Sequence, residues 1–544
     1  MKTLACRTSL RSYSRIRTKF KLLDLPTELL LDIAERLDNP TLLSLSRTCH
    51  NLHSLALCTF FAINDIPDPR SGSLLAYNAP LETLPALRIA LFIQKLEHVT
   101  YYFSTNVERM LREVHDLRAL ISRMPSIRTV SLDIPLYLGY VPQVLNPEVW
   151  EKEFLGLLNL ALEKGCYALS VEGREKLVKF YSKQVTKPTK RRKNPKRKRL
   201  TGAVRHRSPM DSFDETQEDS PILPPRNIKI TRVSIYSDML LEPPFFDWTI
   251  AMLDSGASTI TTLLIYSTIH RPQKTWKYFL DAIKLPRLSS LDLVSCASIP
   301  FATVHSFLTH HSHIKTFDLL GAEVPKGIWP PPPLTIPILP HLQSISAPPF
   351  YLVWILNSLL LDKEAPQNVT DIAITPNYGK EEAFDYGLFD NALECVAAFP
   401  RDIQLSLHLD TSRGDSDIYD WFEEHMTVMD DSDPSKSKVI SQLDNVDRLT
   451  IYFSRSWRRT EMLADWVGML FPNVKMIRFE GLLTEMAVSE LNKTEFVGRV
   501  MMTCQKAAWL YMDEETSDLE QLRRDFEIEI SAKKGKGSRK GGSA

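Results

Sequence analysis

Apolar residues between positions 24 and 57 recur at helical spacing in three short blocks. Leu25-Pro26 predicts an extended entry, after which Thr27 is placed to cap a first helix. Asp38-Asn39-Pro40 ends that helix, and Asn39 is the expected cap of a second one, because proline is tolerated in a first helical turn. A third helix follows. Three short helices carry more apolar surface than they can bury among themselves, so this module is predicted to bind a partner.

A second pattern, with apolar residues at positions i, i+3 and i+5, runs through the rest of the chain. It predicts ten short strands, which begin at Leu96, Ile127, Ile230, Ile260, Leu288, Ile314, Leu342, Val369, Val446 and Val474. From Ile230 to Val369 the spacing is 30, 28, 26, 28 and 27 residues, which indicates a repeated unit. Helix-like stretches separate the strands, so each unit is predicted to contain one strand and one helix.

The unit that begins at Leu288 reads Leu288-x-x-Leu291-x-Leu293-x-x-Cys296 and so contains the L-x-x-L-x-L-x-x-N/C pattern. The array therefore resembles an irregular leucine-rich repeat. That resemblance implies an α/β solenoid, a horseshoe whose strands line the concave face and whose helices form the outer wall. Five side chains are expected near that face, with no binding role assigned: Tyr236, Tyr266, Asp292, Asp318 and Arg478.

Two gaps interrupt the repeat, between Leu132 and Ile230 and between Ile374 and Val446, and both are interpreted as insertions. The predicted organisation has six parts: a basic disordered leader (1–23), the three-helix module (24–62), the first repeat-like units (80–183), a disordered basic and acidic insert (184–226), the main solenoid (227–529) and a disordered basic tail (530–544).

The three-helix module resembles an F-box, the docking module of substrate receptors in SCF-type ubiquitin ligases. The likeness consists of LP-x-E-LL, then I-x-x-x-L a turn later, then LL-x-LS-R-x-C. It implies a Skp-type adaptor, a cullin–RING ligase and an unknown protein substrate as partners. By the same resemblance, eight residues would bury the adaptor-facing surface: Leu25, Pro26, Leu29, Leu30, Ile33, Leu42, Leu43 and Cys49. The alternative is an ordinary three-helix subdomain packed on the rest of the chain.

The net charge of +0 conceals segregated blocks of charge. The densest block carries eight basic residues in ten: Lys190, Arg191, Arg192, Lys193, Lys196, Arg197, Lys198 and Arg199. We expect this run to be a nuclear-localisation signal with an importin as partner. Nucleic-acid contact is the alternative, and it would be unspecific because no aromatic residue is interleaved to stack on bases. A solubilising loop is the third possibility.

Several other classes of function find no support in the sequence. No apolar run reaches the roughly 20 residues of a membrane-spanning helix. Seven scattered cysteines predict reduced thiols rather than disulfides or a zinc site. Nucleotide-binding and hydrolase motifs are missing, so neither catalysis nor a cofactor is predicted. Four histidines near one helix end are interpreted as a solvated helix terminus rather than a metal site: His305, His310, His311 and His313.

Together these patterns predict the non-catalytic substrate-recognition subunit of an SCF-type ubiquitin ligase in the nucleus, the cytoplasm or both. The alternative function is a nuclear scaffold or nucleic-acid-associated repeat protein outside any SCF complex, whose three helices cap the solenoid. A mitochondrial protein is a third hypothesis, because the segment before Asp24 is rich in arginine and serine and has no acidic residue.

Overall fold

The described residues of this computed structural model form one sheet in which each strand is hydrogen-bonded to the strand before it in the chain. The structure describes residues 22–134, 147–173, 222–267, 271–296, 298–322, 331–332, 336–361, 368–376, 386–409, 415–428, 443–453, 460–481, 490–513 and 515–538. The strands are β1 (Ser73–Ala76), β2 (His98–Tyr102), β3 (Thr129–Ile134), β4 (Ala168–Gly173), β5 (Arg232–Ser237), β6 (Thr262–Tyr266), β7 (Ser290–Val294), β8 (Thr316–Leu320), β9 (Ser344–Ala347), β10 (Asp371–Ile374), β11 (Ile403–Leu409), β12 (Val446–Phe453), β13 (Met476–Glu480), β14 (Trp509–Met512) and β15 (Glu515–Asp518). Neighbours are parallel from β1 to β14, and β15 is antiparallel to β14.

Helices precede the sheet and alternate with its strands. They are α1 (Thr27–Glu35), α2 (Asn39–Ser46), α3 (His50–Ile63), α4 (Thr83–Ile89), α5 (Val107–Arg123), α6 (Pro147–Glu163), α7 (Phe245–Ser255), α8 (Gln273–Ala282), α9 (Phe301–His310), α10 (Pro349–Leu360), α11 (Tyr386–Ala397), α12 (Asp415–Val428), α13 (Thr460–Leu470), α14 (Glu490–Thr503) and α15 (Leu519–Ser538). Successive helices such as α5 and α6, or α13 and α14, pack against each other. The helices therefore form a second layer beside the sheet, as in a leucine-rich-repeat-like solenoid.

The strand register places equivalent residues of successive repeats next to each other. Val99 of β2 lies beside Val130 of β3, which lies beside Leu169 of β4, and all three are buried. The residues between the buried positions point to the other side of the sheet, because side chains alternate along a strand. We call that side the open face; its central row is Leu75, Thr100, Ser131, Ser170, Ser234, Leu264, Asp292, Asp318, Ser346, Ala373, Ser406, Thr450, Arg478 and Tyr511.

All ten strands predicted from the i, i+3, i+5 pattern are confirmed, but the two gaps are shorter than predicted. Each gap contains a further strand, β4 in the first and β11 in the second. The unit that contains β4 has Cys166 at the first position of the pattern, where the predicted units have an aliphatic residue. The Cys166 thiol donates to the Ala168 carbonyl. In β11 the register shifts between Ile403 and Gln404, which breaks the pattern at its first position.

The predicted terminal and inserted segments are only partly described. The leader through residue 21 and the insert from 184 to 221 lie outside the described residues. At the other end, α15 continues through Ser538 and so enters the segment 530–544 that was predicted to be disordered. This basic stretch contains too few apolar residues for a helical pattern to be recognised in the sequence.

The three-helix module and the solenoid share one hydrophobic core. The inner side of α3 contributes Ala56, Leu57, Phe60 and Phe61, which belong to the same buried cluster as the strands. At this junction Phe61 packs edge-on against Phe92, with ring centroids 6.4 Å apart. The module thus covers the apolar end of the first repeat, which would otherwise be exposed.

Gly481, directly after β13, has a backbone conformation that residues with a side chain rarely adopt. Its φ is +77°, and a Cβ atom there would lie 2.5 Å from the Phe453 carbonyl oxygen. We expect Gly481→Ala to lower the free energy of unfolding by about 1–3 kcal/mol. Gly498→Ala in α14 is the matched control: nothing lies within 4 Å of its added Cβ, so it should raise stability by about 0.5–1 kcal/mol. Urea denaturation measures both, and equal midpoints would contradict the prediction.

Candidate functional site

Helix α1 is apolar around most of its circumference, yet little of it is covered. Of its nine residues only Ala34 is buried. Leu29 and Ile33 lie one turn apart and remain 50% and 41% exposed. An isolated helix this short is marginal in water, and packing of an apolar face normally stabilises it. The uncovered side of α1 is therefore suited to burial against another molecule.

A groove of about 1030 Å³ lies between α1 and α3. Apolar side chains dominate its lining, and Glu35 and His50 add polar groups. The lining residues are Leu23, Leu25, Thr27, Leu30, Leu31, Glu35, His50, Asn51, Leu52, Ser54, Leu55, Cys58, Thr59, Ala62 and Ile63. Leu29 and Ile33 do not line the groove and add exposed apolar side chains elsewhere on α1. We call the groove and these two residues together the α1 surface. Such a groove fits an amphipathic helix of a partner.

The eight residues predicted to contact an adaptor divide into three groups. Pro26, Leu29 and Ile33 are exposed, whereas Leu25, Leu30 and Cys49 are half-buried. Leu42 and Leu43 are buried in the chain's own core, at 0% and 8% exposure. The expectation that these two leucines form the adaptor-facing surface is thereby corrected. They fix α2 against α3 and support the surface from below.

Local hydrogen bonds hold the module together and correct two predicted caps. Helix α1 has no side-chain cap, and its N-cap residue is Pro26 rather than Thr27. The cap of α2 is Asp38 rather than Asn39, because the Asp38 carboxylate accepts from the Thr41 N–H at 3.0 Å. The Thr41 contacts lower the pKa of Asp38. Asn39 instead exchanges amide hydrogen bonds with Asn64 at the end of α3.

His53 ties α3 to both sides of the junction. Its Nδ1 lies 2.8 Å from the Ser46 carbonyl oxygen, and its Nε2 accepts from the Leu91 N–H at 3.2 Å. The imidazole thus joins α2 to the loop that follows α4. Because α3 is anchored on this side, its opposite side, with Leu55 and Ile63, stays turned towards α1 and solvent.

The open face carries an acidic and aromatic centre. Asp292 of β7 lies directly beside Asp318 of β8, and both side chains are half-buried. Burial, aided by the charge of Asp292, raises the pKa of Asp318 to about 6. Burial also raises the pKa of Asp292, against the lowering effects of Ser290 and Arg232. Two strands earlier, the rings of Tyr236 and Tyr266 lie 6.2 Å apart.

The other end of the open face has a different character. His408 stacks on Tyr452 at 4.3 Å, and the Arg478 guanidinium lies 5.1 Å from the ring centroid of Tyr511. Burial lowers the pKa of His408. The predicted positions of Tyr236, Tyr266, Asp292, Asp318 and Arg478 on this face of the sheet are confirmed.

Residues 22–61 match the family model described as F-box-like. The N-terminal module is an F-box-like domain. The matched segment contains all of α1 and α2 and most of α3, so it includes both walls of the groove. No curated protein matches the chain.

Solved structures with similarity to the chain have low sequence identity to it. The yeast structure "Rad7 and Elc1 complex" contains a chain that is 12% identical, with a TM-score of 0.33; the match covers 85% of this chain and 90% of that one. The leucine-rich repeat-containing protein LegL7 from Legionella pneumophila is 13% identical, with a TM-score of 0.29, and the match covers 80% and 98% of the two chains.

Several residues of the F-box-like domain that contribute to the α1 surface were missed by the sequence reasoning. Leu23, Leu31 and Ile63 line the groove and are 48%, 38% and 47% exposed. Leu29, Leu30 and Leu31 are consecutive, and three consecutive leucines cannot all lie on one side of a helix. That run was the available signal, since it implied apolar residues on an outer side.

The remaining predicted sites have mixed outcomes. His311 is buried rather than solvated: its Nδ1 lies 2.8 Å from the Phe307 carbonyl oxygen, and its Nε2 accepts from the Leu285 N–H. Within the described residues, no three histidine, cysteine, aspartate or glutamate side chains are grouped to hold a metal ion. No helix in the described part of the chain has the length and apolar content needed to cross a bilayer. The basic run from Lys190 to Arg199 lies outside the described residues.

The raised pKa of Asp318 predicts a pH-dependent effect on stability. A carboxyl group whose pKa is higher in the folded state destabilises the fold as pH rises from about 3.9 to about 6, and the full penalty persists above that. Asp318→Asn removes this ionisation. We expect it to raise the thermal midpoint at pH 7.5 and to lose that advantage near pH 4. A gain that is the same at both pH values would show that the carboxylate charge is not its cause.

Proposed function

We propose that this chain is the substrate-recognition subunit of an SCF-type ubiquitin ligase. The F-box-like domain would dock a Skp-type adaptor through the α1 surface, and the repeat array would bind a protein substrate. The observation that carries the proposal is the largely exposed apolar helix α1, in which Leu29 and Ile33 are 50% and 41% exposed.

The chain's contribution to the reaction would be proximity. A cullin–RING ligase brings an activated ubiquitin thioester, and a receptor that holds the substrate nearby raises its effective concentration at that thioester. This role requires one surface for the adaptor and another for the substrate. The α1 surface and the open face lie on separate parts of the chain and so meet the requirement.

The alternative function, a scaffold whose three helices only cap the solenoid, accounts for less of the structure. Capping explains why the inner side of α3 is packed against the first repeat through Phe60 and Phe61. It gives no reason for the apolar character of α1, whose exposed leucines would be a solubility liability in a simple cap. A domain that both caps the solenoid and binds an adaptor accounts for the packed inner side of α3 and for the exposed apolar residues of α1.

Adaptor binding is tested by truncating the exposed side of α1. Leu29→Ala combined with Ile33→Ala should weaken binding of a purified Skp-type adaptor by roughly 30-fold or more, since each change removes apolar contact at an interface centre. Leu361→Ala, at the end of α10, is the matched control because Leu361 is also an exposed leucine, at 56%. Isothermal titration calorimetry measures the dissociation constants.

Truncation of exposed side chains should leave the fold intact, so circular dichroism and thermal midpoints of all three proteins should agree. Equal adaptor affinity of the wild type and the α1 variant would refute the proposed docking surface. Failure of the wild-type chain to bind any Skp-type adaptor, although well folded, would favour the scaffold function.

The basic run is proposed to direct the receptor to the nucleus. Replacing Lys190, Arg191, Arg192 and Lys193 by serine removes four of its eight charges and should weaken importin binding. The measurement is the nuclear fraction of a fluorescently tagged chain in living cells. The nuclear fraction should fall, and an unchanged fraction would reject the signal. Replacement of Lys533 and Lys534 in the basic tail controls for a general loss of positive charge.

A further inference from the structure

The centre of the open face has the chemistry of a binding site for positively charged side chains. We infer that the surface around Asp292 and Asp318 binds lysine or arginine side chains in a basic segment of a partner protein. The inference rests on the proposed function in so far as that partner is the substrate. It names a chemical class of ligand that the F-box-like domain does not specify.

The first step of the argument is the placement of the two aspartates. Asp292 and Asp318 are register partners on adjacent parallel strands, and adjacent strands are about 4.8 Å apart. Both side chains point to the open face. Two carboxylates at this spacing can accept hydrogen bonds from one guanidinium or ammonium group, and such charge-assisted bonds are about twice as strong as neutral ones.

The second step is that these charges are only partly compensated within the described residues. Among the described residues neither aspartate forms an ion pair. The open-face positions of β6 to β9 carry no lysine or arginine, and Arg232 on β5 is the basic residue whose charge reaches Asp292. Burial raises the pKa of both carboxyl groups, and the charge of Asp292 adds to the rise at Asp318. A bound cation would relieve the repulsion between them.

The third step concerns the aromatic rings beside the aspartates. Tyr236 and Tyr266 stand on β5 and β6, with ring centroids 6.2 Å apart, and are half-buried. Burial raises the pKa of Tyr236, and the charges of Asp292 and Glu172 add to that rise. An aromatic face next to a carboxylate attracts a cation by both its quadrupole and the neighbouring charge.

The opposite end of the same face provides an internal contrast. There Arg448 and Arg478 occupy open-face positions on β12 and β13, and Arg478 covers the Tyr511 ring. Arg478 is also paired with Glu480, at 3.4 Å. That end therefore offers a basic segment less unpaired negative charge than Asp292 and Asp318 do.

The chain's own basic run is a competing occupant. It follows β4 in sequence, but acidic residues at positions 211, 214, 215, 218 and 219 follow it within the same insert. Those residues offer the run a countercharge nearer in sequence than Asp292. A partner's basic segment is for this reason the occupant to which we commit.

The test uses the full chain and a fluorescein-labelled twelve-residue peptide, three repeats of Gly-Arg-Ser-Lys, in fluorescence anisotropy at physiological salt. The matched peptide has glutamine at every basic position. We expect binding of the basic peptide alone. Asp318→Asn should weaken it roughly tenfold. Asp371→Asn on β10, which removes one charge from the same face, should change it less than twofold.

A second pair of variants separates a shaped site from diffuse attraction. Tyr266→Leu should weaken binding several-fold, and Tyr266→Phe, which keeps the ring, should restore it. Equal effects of Asp318→Asn and Asp371→Asn would overturn the inference, as would binding of the glutamine peptide. Binding that appears only after neutralisation of Lys190 to Arg199 would assign the surface to the chain's own run and would also overturn it.

Adaptor binding, measured on the same proteins, distinguishes failure of this inference from failure of the proposed function. Asp318→Asn should retain the wild-type affinity for a Skp-type adaptor, because Asp318 is in the solenoid. The α1 variant should retain the wild-type affinity for the basic peptide. Loss of peptide selectivity with intact adaptor binding would reject the basic-segment site alone.

Discussion

Each strand from β2 to β14 finds its backbone hydrogen-bond partners in the units before and after it, so no repeat can satisfy its backbone or bury its apolar side alone. This dependence fixes the register along the whole array. Val99, Val130 and Leu169 continue one buried row from strand to strand, and the residues between them are turned to the open face. The first unit has no earlier repeat, and helix α3 of the F-box-like domain covers that end instead.

The same dependence explains how one chain carries two surfaces of opposite chemistry. Helix α3 is held on one side by Phe61 and His53. Beyond it, α1 carries leucines that the described residues leave exposed. The open face, in contrast, can carry polar side chains, because the backbone hydrogen bonds are made within the sheet and the core side chains point to the helical side. Asp292 and Asp318 can therefore lie side by side on the open face, because the apolar core on the other side of the sheet offsets the repulsion between their carboxylates.

Much of the fold could be predicted from the sequence, because the i, i+3, i+5 pattern reports directly on strand burial. The pattern failed in two units. Cys166 takes the first position of the unit that contains β4 (Ala168–Gly173), and the register shift at Ile403 disrupts β11. Less of the candidate site was predictable. Leu42 and Leu43 match the motif as well as Leu29 does, and only tertiary packing separates the buried leucines from the exposed one. The pairing of Asp292 with Asp318 likewise needs the strand register, which sequence spacing alone does not provide.

The central claim is that α1 and the outer side of α3 form the docking surface of a ubiquitin-ligase receptor. Hydrogen–deuterium exchange of the full chain, with and without a saturating Skp-type adaptor, tests it most directly. The account predicts slower exchange of amides in Thr27–Glu35 and His50–Ile63 on adaptor binding, with the strands β5 to β8 unchanged. Protection confined to the open face, or none in α1 although the complex forms, would contradict it.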